Sequence, residues 1–244
     1  MVNQRQEYSL IDDLIAWGIV DEGMREKVDR ISARTKELNA GLKPSHRLVM
    51  DHAFYLQRMV EDFGCRLAYL RNEANVTSSE LASDMGIEAW RVDGLESSSR
   101  GFDVALVRDY LVALRSLISE DAFEVRGTPL DFEDFLYRLF DSSLFTDGDR
   151  ETARGHYQQM AKMILAVDDR DAGLMQDAFT LGLDIEGLGL RLASLREDQD
   201  LSSSQVADIL GVEVRRVDSL ESGRAPVDLD LVRNYLLVVQ GARV

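Results

Sequence analysis

Five side chains near the end of the chain have the types and spacing needed to contact nucleic acid. Val214, Arg215 and Ser219 fall on the first turn and outer face of a short helical segment, and Arg216 and Arg224 flank that face. A guanidinium group can hold a guanine edge through two hydrogen bonds, or it can pair with a phosphate. We therefore predict base contacts from Val214, Arg215 and Ser219, and phosphate contacts from Arg216 and Arg224.

Three short amphipathic helices in the segment 191–236 are expected to position these side chains. Ser202 can cap the second helix, and Gly211 tolerates the positive φ of the sharp turn that follows. The pattern predicts a helix-turn-helix with a recognition helix over 213–221. The apolar residues at helical spacing are Leu192, Leu195 and Leu201, then Val206, Ile209 and Leu210, then Val214, Val217 and Leu220.

An earlier copy of this segment begins 125 residues before it. Without a gap, 23 of the 50 positions in 63–112 are identical to their counterparts in 188–237. Two positions that lie 125 residues apart are called corresponding positions below. In the first copy Ala89, Trp90 and Gly94 occupy the base-reading positions, while Arg91 and Arg100 are placed to reach phosphates. Trp90 can press on a thymine methyl group or contact a protein, and the residue types leave both readings open.

Hydroxyl and amide side chains at the start of each second helix form another candidate set. They can donate hydrogen bonds to phosphates, or they can serve only to cap the helix. The set consists of Ser78, Ser79, Ser203, Ser204 and Gln205.

The pattern along the chain predicts an all-α, internally duplicated protein. The expected organisation is a helical arm at 1–62, a helix-turn-helix domain at 63–119, a linker and second arm at 120–187, and a second helix-turn-helix domain at 188–244. The arms contain amphipathic stretches at 8–20 and 131–145, and Ser45 is expected to cap a helix that leads toward Gly64. Cys65, which corresponds to Leu190, is expected to be a small core residue.

The net charge of −16 opposes general nucleic-acid coating, because such binding depends on Lys and Arg. The segments 66–119 and 191–244 each have a net charge of only −2, so most of the acidity lies outside them. An acidic body that is held away from the duplex leaves room for a local basic face and discourages non-specific binding.

Both helix-turn-helix segments resemble the phage-repressor-like (Xre-type) family. The resemblance rests on the Leu-Arg pair, the start of the second helix, the Gly-apolar turn and the Val-x-x-Leu-Glu end of the third helix, and it covers about 55 residues in each copy. It implies internal ion pairs between Arg71 and Glu96 and between Arg196 and Glu221. The tail after position 228 has a weaker similarity to antitoxins of the host-inhibition-of-growth type.

These observations predict a sequence-specific DNA-binding transcriptional regulator, specifically a repressor, with two covalently joined units that read an imperfect two-half-site operator in double-stranded DNA. If the chain also forms a homodimer, four units are present and the operator lengthens. The four carboxylates of the recognition helices weaken this reading, because they repel phosphates, although a carboxylate can accept a hydrogen bond from cytosine. They are Glu88, Asp93, Glu213 and Asp218.

The alternative is a protein-interaction module, such as an antitoxin body, an anti-activator or an acidic adaptor, whose helix-turn-helix units dock on a toxin, polymerase or other protein. No catalytic grouping, cofactor motif or metal-ligand cluster is visible in the sequence, so an enzyme is not expected. The single cysteine and the lack of an apolar run of membrane length predict a cytoplasmic protein without membrane contact.

Overall fold

The computed structural model describes residues 25–118 and 150–241. All regular structure in these two ranges is helical, in agreement with the expected all-α class, and no helix there is long and apolar enough to cross a membrane. The expected helices at 8–20 and 131–145 lie outside the described residues. In chain order the helices are α1 (Arg25–Asn39), α2 (Pro44–Glu73), α3 (Ser78–Asp84), α4 (Ala89–Glu96), α5 (Val104–Leu117), α6 (Arg150–Ile164), α7 (Asp169–Glu197), α8 (Ser203–Leu210), α9 (Val214–Glu221) and α10 (Leu229–Val239).

Two long helices, α2 and α7, form the centre of the molecule. α2 begins with Pro44, whose missing amide hydrogen costs no hydrogen bond in the first turn of a helix. α7 begins after Asp168, whose side chain accepts a 3.1 Å hydrogen bond from the amide of Asp171. The expected boundaries at 62/63 and 187/188 fall inside these helices, so each arm continues into its helix-turn-helix unit without a break.

Three short helices follow each long helix and close a small core. We call α3–α5 with the end of α2 the first unit, and α8–α10 with the end of α7 the second unit. In each unit the second and third helices of the helix-turn-helix pack on each other, and the last helix packs on the second. Leu67 and Val92 are buried in the first core, and the corresponding Leu192 and Val217 are buried in the second. Each such burial contributes about 1.5–3 kcal/mol to stability.

The two halves share one apolar core, because each long helix packs on helices from both halves. α2 packs against α7, α10 of the second unit packs on α2, and α5 of the first unit packs on α7. Polar contacts also link the two halves. The Lys43 amide donates to Gln240 Oε1 at 2.7 Å. At the corresponding positions, the Arg115 Nε atom lies 3.9 Å from Asp168 Oδ2. The last helix of each unit is therefore held by the other half.

Two local expectations are wrong. Cys65 is exposed, as is the corresponding Leu190. The side of α2 that faces the core carries Gly64 and Leu67, and Cys65 lies outside that side. Ser45 does not cap α2: the N-cap residue is Lys43, which makes no side-chain capping bond, and Pro44 already occupies the first turn.

Candidate nucleic-acid interface

The local geometry of both helix-turn-helix segments agrees with the sequence pattern. Ser202 caps α8, accepting a 3.2 Å hydrogen bond from the Gln205 amide, and the Gln205 side chain accepts in return from the Ser202 amide at 2.8 Å. Thr77 and Glu80 form the same reciprocal pair at α3. The turn glycine, Gly211, has φ 66°, the left-handed conformation that was expected there. The helices that the sequence predicts as recognition helices are therefore α4 and α9, and we keep that name for them below.

Part-buried ion pairs tie the recognition helix of each unit to its long helix. Arg196 binds Glu221 through two hydrogen bonds of 2.8 Å, and Arg71 binds Glu96 through bonds of 2.6 and 2.7 Å. These are the pairs that the family resemblance implied. Each arginine also donates to a backbone carbonyl in the segment that follows its long helix, Val76 for Arg71 and Leu201 for Arg196. The pairs therefore attach the last residues of α4 and α9 to the long helices.

A tyrosine completes each ion pair, and the sequence analysis missed it. The Tyr235 hydroxyl lies 2.6 Å from Glu221 Oε1 and 3.0 Å from the Leu192 carbonyl oxygen. Tyr110 makes the corresponding contacts with Glu96 at 2.7 Å and with the Leu67 carbonyl at 2.9 Å. Burial raises the pKa of both phenols, and the carboxylate contact raises the pKa further. The hydroxyls therefore remain protonated donors, and the recurrence of Tyr at corresponding positions was the signal available in the sequence.

Two glycines allow the end of each recognition helix to approach its long helix closely. A Cβ atom at Gly189 would lie 2.4 Å from the Glu221 carbonyl oxygen, and one at Gly64 would lie 2.5 Å from the Glu96 carbonyl oxygen. Backbone atoms cannot yield to such an overlap as a flexible side chain can. Glycine is thus required at both positions for the observed packing, and this role was also missed.

The second recognition helix presents its expected reading residues to solvent. The Arg215 side chain is 82% exposed and pairs with Glu213, and Arg216 lies 3.3 Å from Asp228. Val214 is also exposed, and Ser219 is half-buried. Exposed ion pairs of this kind contribute little to stability, so both guanidinium groups can exchange a carboxylate for another acceptor at small cost.

The first recognition helix presents a different surface. Trp90 is 48% exposed, and the Arg100 guanidinium carbon lies 3.7 Å from the centroid of its ring. Arg100, which was expected near phosphates, therefore covers the indole. Gly94 is buried beneath the Arg100 side chain, while Arg91 is half-buried. This helix therefore offers an indole ring covered by one guanidinium, where α9 offers the extended side chain of Arg215.

The hydroxyl and amide candidates divide into two groups. Gln205 uses its side-chain oxygen in the cap of α8, and its side chain is exposed to solvent. The serines differ in access, since Ser79 and Ser204 are exposed whereas Ser78 and Ser203 are half-buried. The accessible donors of this set are therefore the hydroxyls of Ser79 and Ser204 and the amide NH2 group of Gln205.

The two surfaces also differ in charge. Around α8 and α9, exposed Arg215, Arg216 and Arg224 balance three exposed carboxylates. Around α3 and α4, only Arg91 and Arg100 oppose four exposed carboxylates. The second unit therefore repels a phosphate backbone less than the first. The carboxylates are Asp208, Glu213 and Asp218 in the second unit and Glu80, Asp84, Glu88 and Asp93 in the first.

No protein-family model, curated protein or solved structure matches this chain. Across residues 25–118 and 150–241, no group of three or more His, Cys, Asp or Glu side chains is placed to hold a metal ion.

Proposed function

We propose that this protein is a sequence-specific DNA-binding transcriptional regulator that acts as a repressor. Its two helix-turn-helix units, derived from an internal duplication, would read the two half-sites of one imperfect operator. The observation that carries the proposal is α9, an exposed helix that projects Arg215 and is braced from behind by the Arg196–Glu221 pair. A rigid helix with an exposed arginine in its first turn has the geometry for hydrogen bonding to a guanine in the major groove.

The recurrence of contacts supports the duplication. Ion pair, tyrosine and close-approach glycine all occur at positions that lie 125 residues apart. The packing of α5 on α7 and of α10 on α2 resembles the mutual contacts of a two-fold dimer, in which each subunit contacts the same part of the other. One chain would thus replace the dimer that a palindromic operator normally requires.

The half-sites read by the two units should differ. Arg215 favours guanine through paired hydrogen bonds, whereas the corresponding Trp90 has only an apolar ring and one N–H donor. The more acidic surroundings of α4 also weaken phosphate binding by the first unit. We assign most of the binding free energy and the strongest base preference to the second unit.

A second candidate function applies to the first unit. The exposed Trp90 with Arg100 stacked on it, beside Glu88 and Asp93, has the composition of a protein-binding surface, in which Trp and Arg often contribute most of the affinity. The first unit would then dock on a protein such as a toxin or polymerase, as in an antitoxin body, anti-activator or adaptor, while the second unit binds DNA.

Selection from a random duplex library tests the proposal. The full chain is used to enrich binding sequences, and affinities for the enriched duplex are compared for the wild type and Arg215→Ala over a range of salt concentrations. We expect the substitution to weaken binding by about 5- to 150-fold, the value of one bidentate base contact, and to relax the preference at one base pair. Arg154→Ala removes an exposed arginine from α6 and controls for the change in net charge.

Failure to enrich any sequence would reject DNA recognition by this chain. If a sequence is enriched and both arginine variants bind it equally well, Arg215 does not read a base. The docking role of the first unit is tested separately with Trp90→Ala. That variant should retain the enriched duplex and lose a protein partner that co-purifies with the wild type.

A further inference from the structure

A cleft of about 590 Å³ lies beside α6, at the place where the two units meet. Among the described residues, its walls are the start of α5, the inner face of α6, the middle of α7, and the loops that follow α4 and α9. Clefts that bind small molecules have volumes of about 300–1,000 Å³. The cleft is therefore large enough for a ligand of several functional groups.

The loops that leave the two recognition helices touch each other at the edge of this cleft. A Cβ atom at Gly101 would lie 2.7 Å from the carbonyl oxygen of Arg224, so only glycine permits this approach. Both residues line the cleft. A molecule bound there would contact both loops at once.

The corresponding region on the other side of the molecule is bridged by an ion pair. Arg34 of α1 binds Asp230 of α10 at 2.5 Å, and α10 packs on α1. The corresponding positions are Gln159 of α6 and Ala105 of α5, and both line the cleft. The cleft thus occurs in the half of the molecule that lacks the bridging pair.

The lining combines an apolar wall with charges of both signs. Phe102, Met163 and Phe179 supply aromatic and thioether surface. Arg224 supplies a cation and Glu186 an anion, and both side chains are exposed at the cleft. A second carboxylate in the lining, that of Asp103, accepts hydrogen bonds from the first amides of α5, which leaves Glu186 as the anion without a capping role. A ligand that matches this lining carries an apolar body, a carboxylate for Arg224 and an ammonium group for Glu186.

We propose that this cleft is a binding site for a zwitterionic amphiphile, an apolar amino acid or dipeptide in its chemical class. The site goes beyond DNA recognition and does not require it. Its test accordingly measures ligand binding by the full chain without any duplex, and its result is independent of the proposed repressor function.

Isothermal titration with the dipeptide L-phenylalanyl-L-leucine is the first experiment. We expect binding in the micromolar to millimolar range, weakened about tenfold or more by N-acetylation or by C-terminal amidation, because each blocks one charge. No heat of binding and no protection against thermal unfolding at millimolar dipeptide would overturn the proposal. Equal affinity for the free and both blocked peptides would overturn the assigned chemistry.

Location is tested by transferring the bridging pair. The double variant Gln159→Arg with Ala105→Asp places in the cleft the pair found between α1 and α10, and we expect it to reduce dipeptide affinity at least tenfold. The reciprocal double variant Arg34→Gln with Asp230→Ala removes the existing pair and should leave the affinity unchanged. Circular dichroism confirms that each variant is folded. Unchanged affinity in the first variant would show that the dipeptide binds elsewhere.

Single variants separate the two charge contacts. Because both side chains are exposed and outside the core, Glu186→Gln and Arg224→Gln should fold normally. Glu186→Gln should weaken the free dipeptide but not the N-acetylated form, and Arg224→Gln should weaken the free dipeptide but not the amidated form. Equal losses for free and blocked peptides would contradict these contacts.

Discussion

The Arg100 guanidinium stacks on the Trp90 indole, with 3.7 Å between the guanidinium carbon and the ring centroid. This contact holds an arginine against the outer face of the first recognition helix. In the second unit, Arg215 occupies the position of Trp90 and extends into solvent beside Glu213. The two units thus share one scaffold and present different chemistry on it.

Trp90→Arg gives the first unit the residue that the second unit has at the corresponding position. We expect tighter binding to duplex DNA of arbitrary sequence, together with a salt dependence that is steeper by about one unit of slope, since one more phosphate contact releases one more counterion. Fluorescence anisotropy with a labelled duplex at several salt concentrations measures both quantities.

Tyr69→Arg is the matched control for that substitution, because Tyr69 is an exposed aromatic residue on α2 with the same change in charge. Similar gains in both variants would mean that net charge alone, and not the position on α4, governs the affinity.

Tyr235→Phe and Tyr110→Phe test the clamp on each recognition helix. Each substitution removes a hydroxyl that bridges a part-buried carboxylate and a backbone carbonyl, so we expect the free energy of unfolding to fall by about 1–3 kcal/mol in both variants. Urea denaturation followed by circular dichroism gives this value. Tyr55→Phe, at an exposed position on α2, is the control and should change it by less than about 0.5 kcal/mol.

Replacing the glycines that contact the recognition helices with alanine should lower stability, whereas the same replacement of an ordinary helical glycine raises it. Gly189→Ala and Gly64→Ala force a Cβ atom against a backbone carbonyl and should destabilise the chain by about 1–3 kcal/mol. Gly173→Ala, in the same helix as Gly189, meets no atom within 4 Å and should stabilise it by about 0.5–1 kcal/mol. Thermal and urea unfolding measure the stability of the three variants. If all three substitutions changed the stability in the same direction, the close approach at Gly64 and Gly189 would not be important.

Two histidines predict how stability depends on pH. Burial lowers the pKa of His46 and, together with nearby Arg191, the pKa of His52. The unfolded chain therefore binds more protons than the folded chain below the unfolded pKa of about 6.5, so this part of the stability is complete above that pH and is lost as pH falls through the lower folded pKa values.

Urea unfolding at pH 7, 6 and 5, values that lie within the range of about 5–8 in which imidazoles titrate, checks the histidine prediction. The free energy of unfolding should decline with pH less steeply in His46→Gln with His52→Gln than in the wild type. His156→Gln, on α6, serves as the control. If the free energy of unfolding declined equally with pH in the double variant and the wild type, the imidazoles of His46 and His52 would not be the cause of the decline.

Much of each helix-turn-helix unit was predictable because its signals are local. These signals are the cap at Ser202, the left-handed turn at Gly211 and the apolar spacing, and each depends on residues within one or two helical turns. The structure has the cap and the turn where they were expected. Cys65 was not predictable in this way, because its correspondence to an apolar residue does not reveal which side of α2 faces the core.

The amino-acid sequence by itself determined the helical class, the repeated pattern and the candidate reading residues, since short-range hydrogen bonding and apolar periodicity are written in neighbouring positions. Only the tertiary structure decided the packing of α5 and α10 on the long helix of the other half, the stacking of Arg100 on Trp90 and the cleft beside α6. These depend on which distant side chains meet. Arg34 and Asp230 are separated by 196 residues, and no local pattern couples their positions before the chain folds.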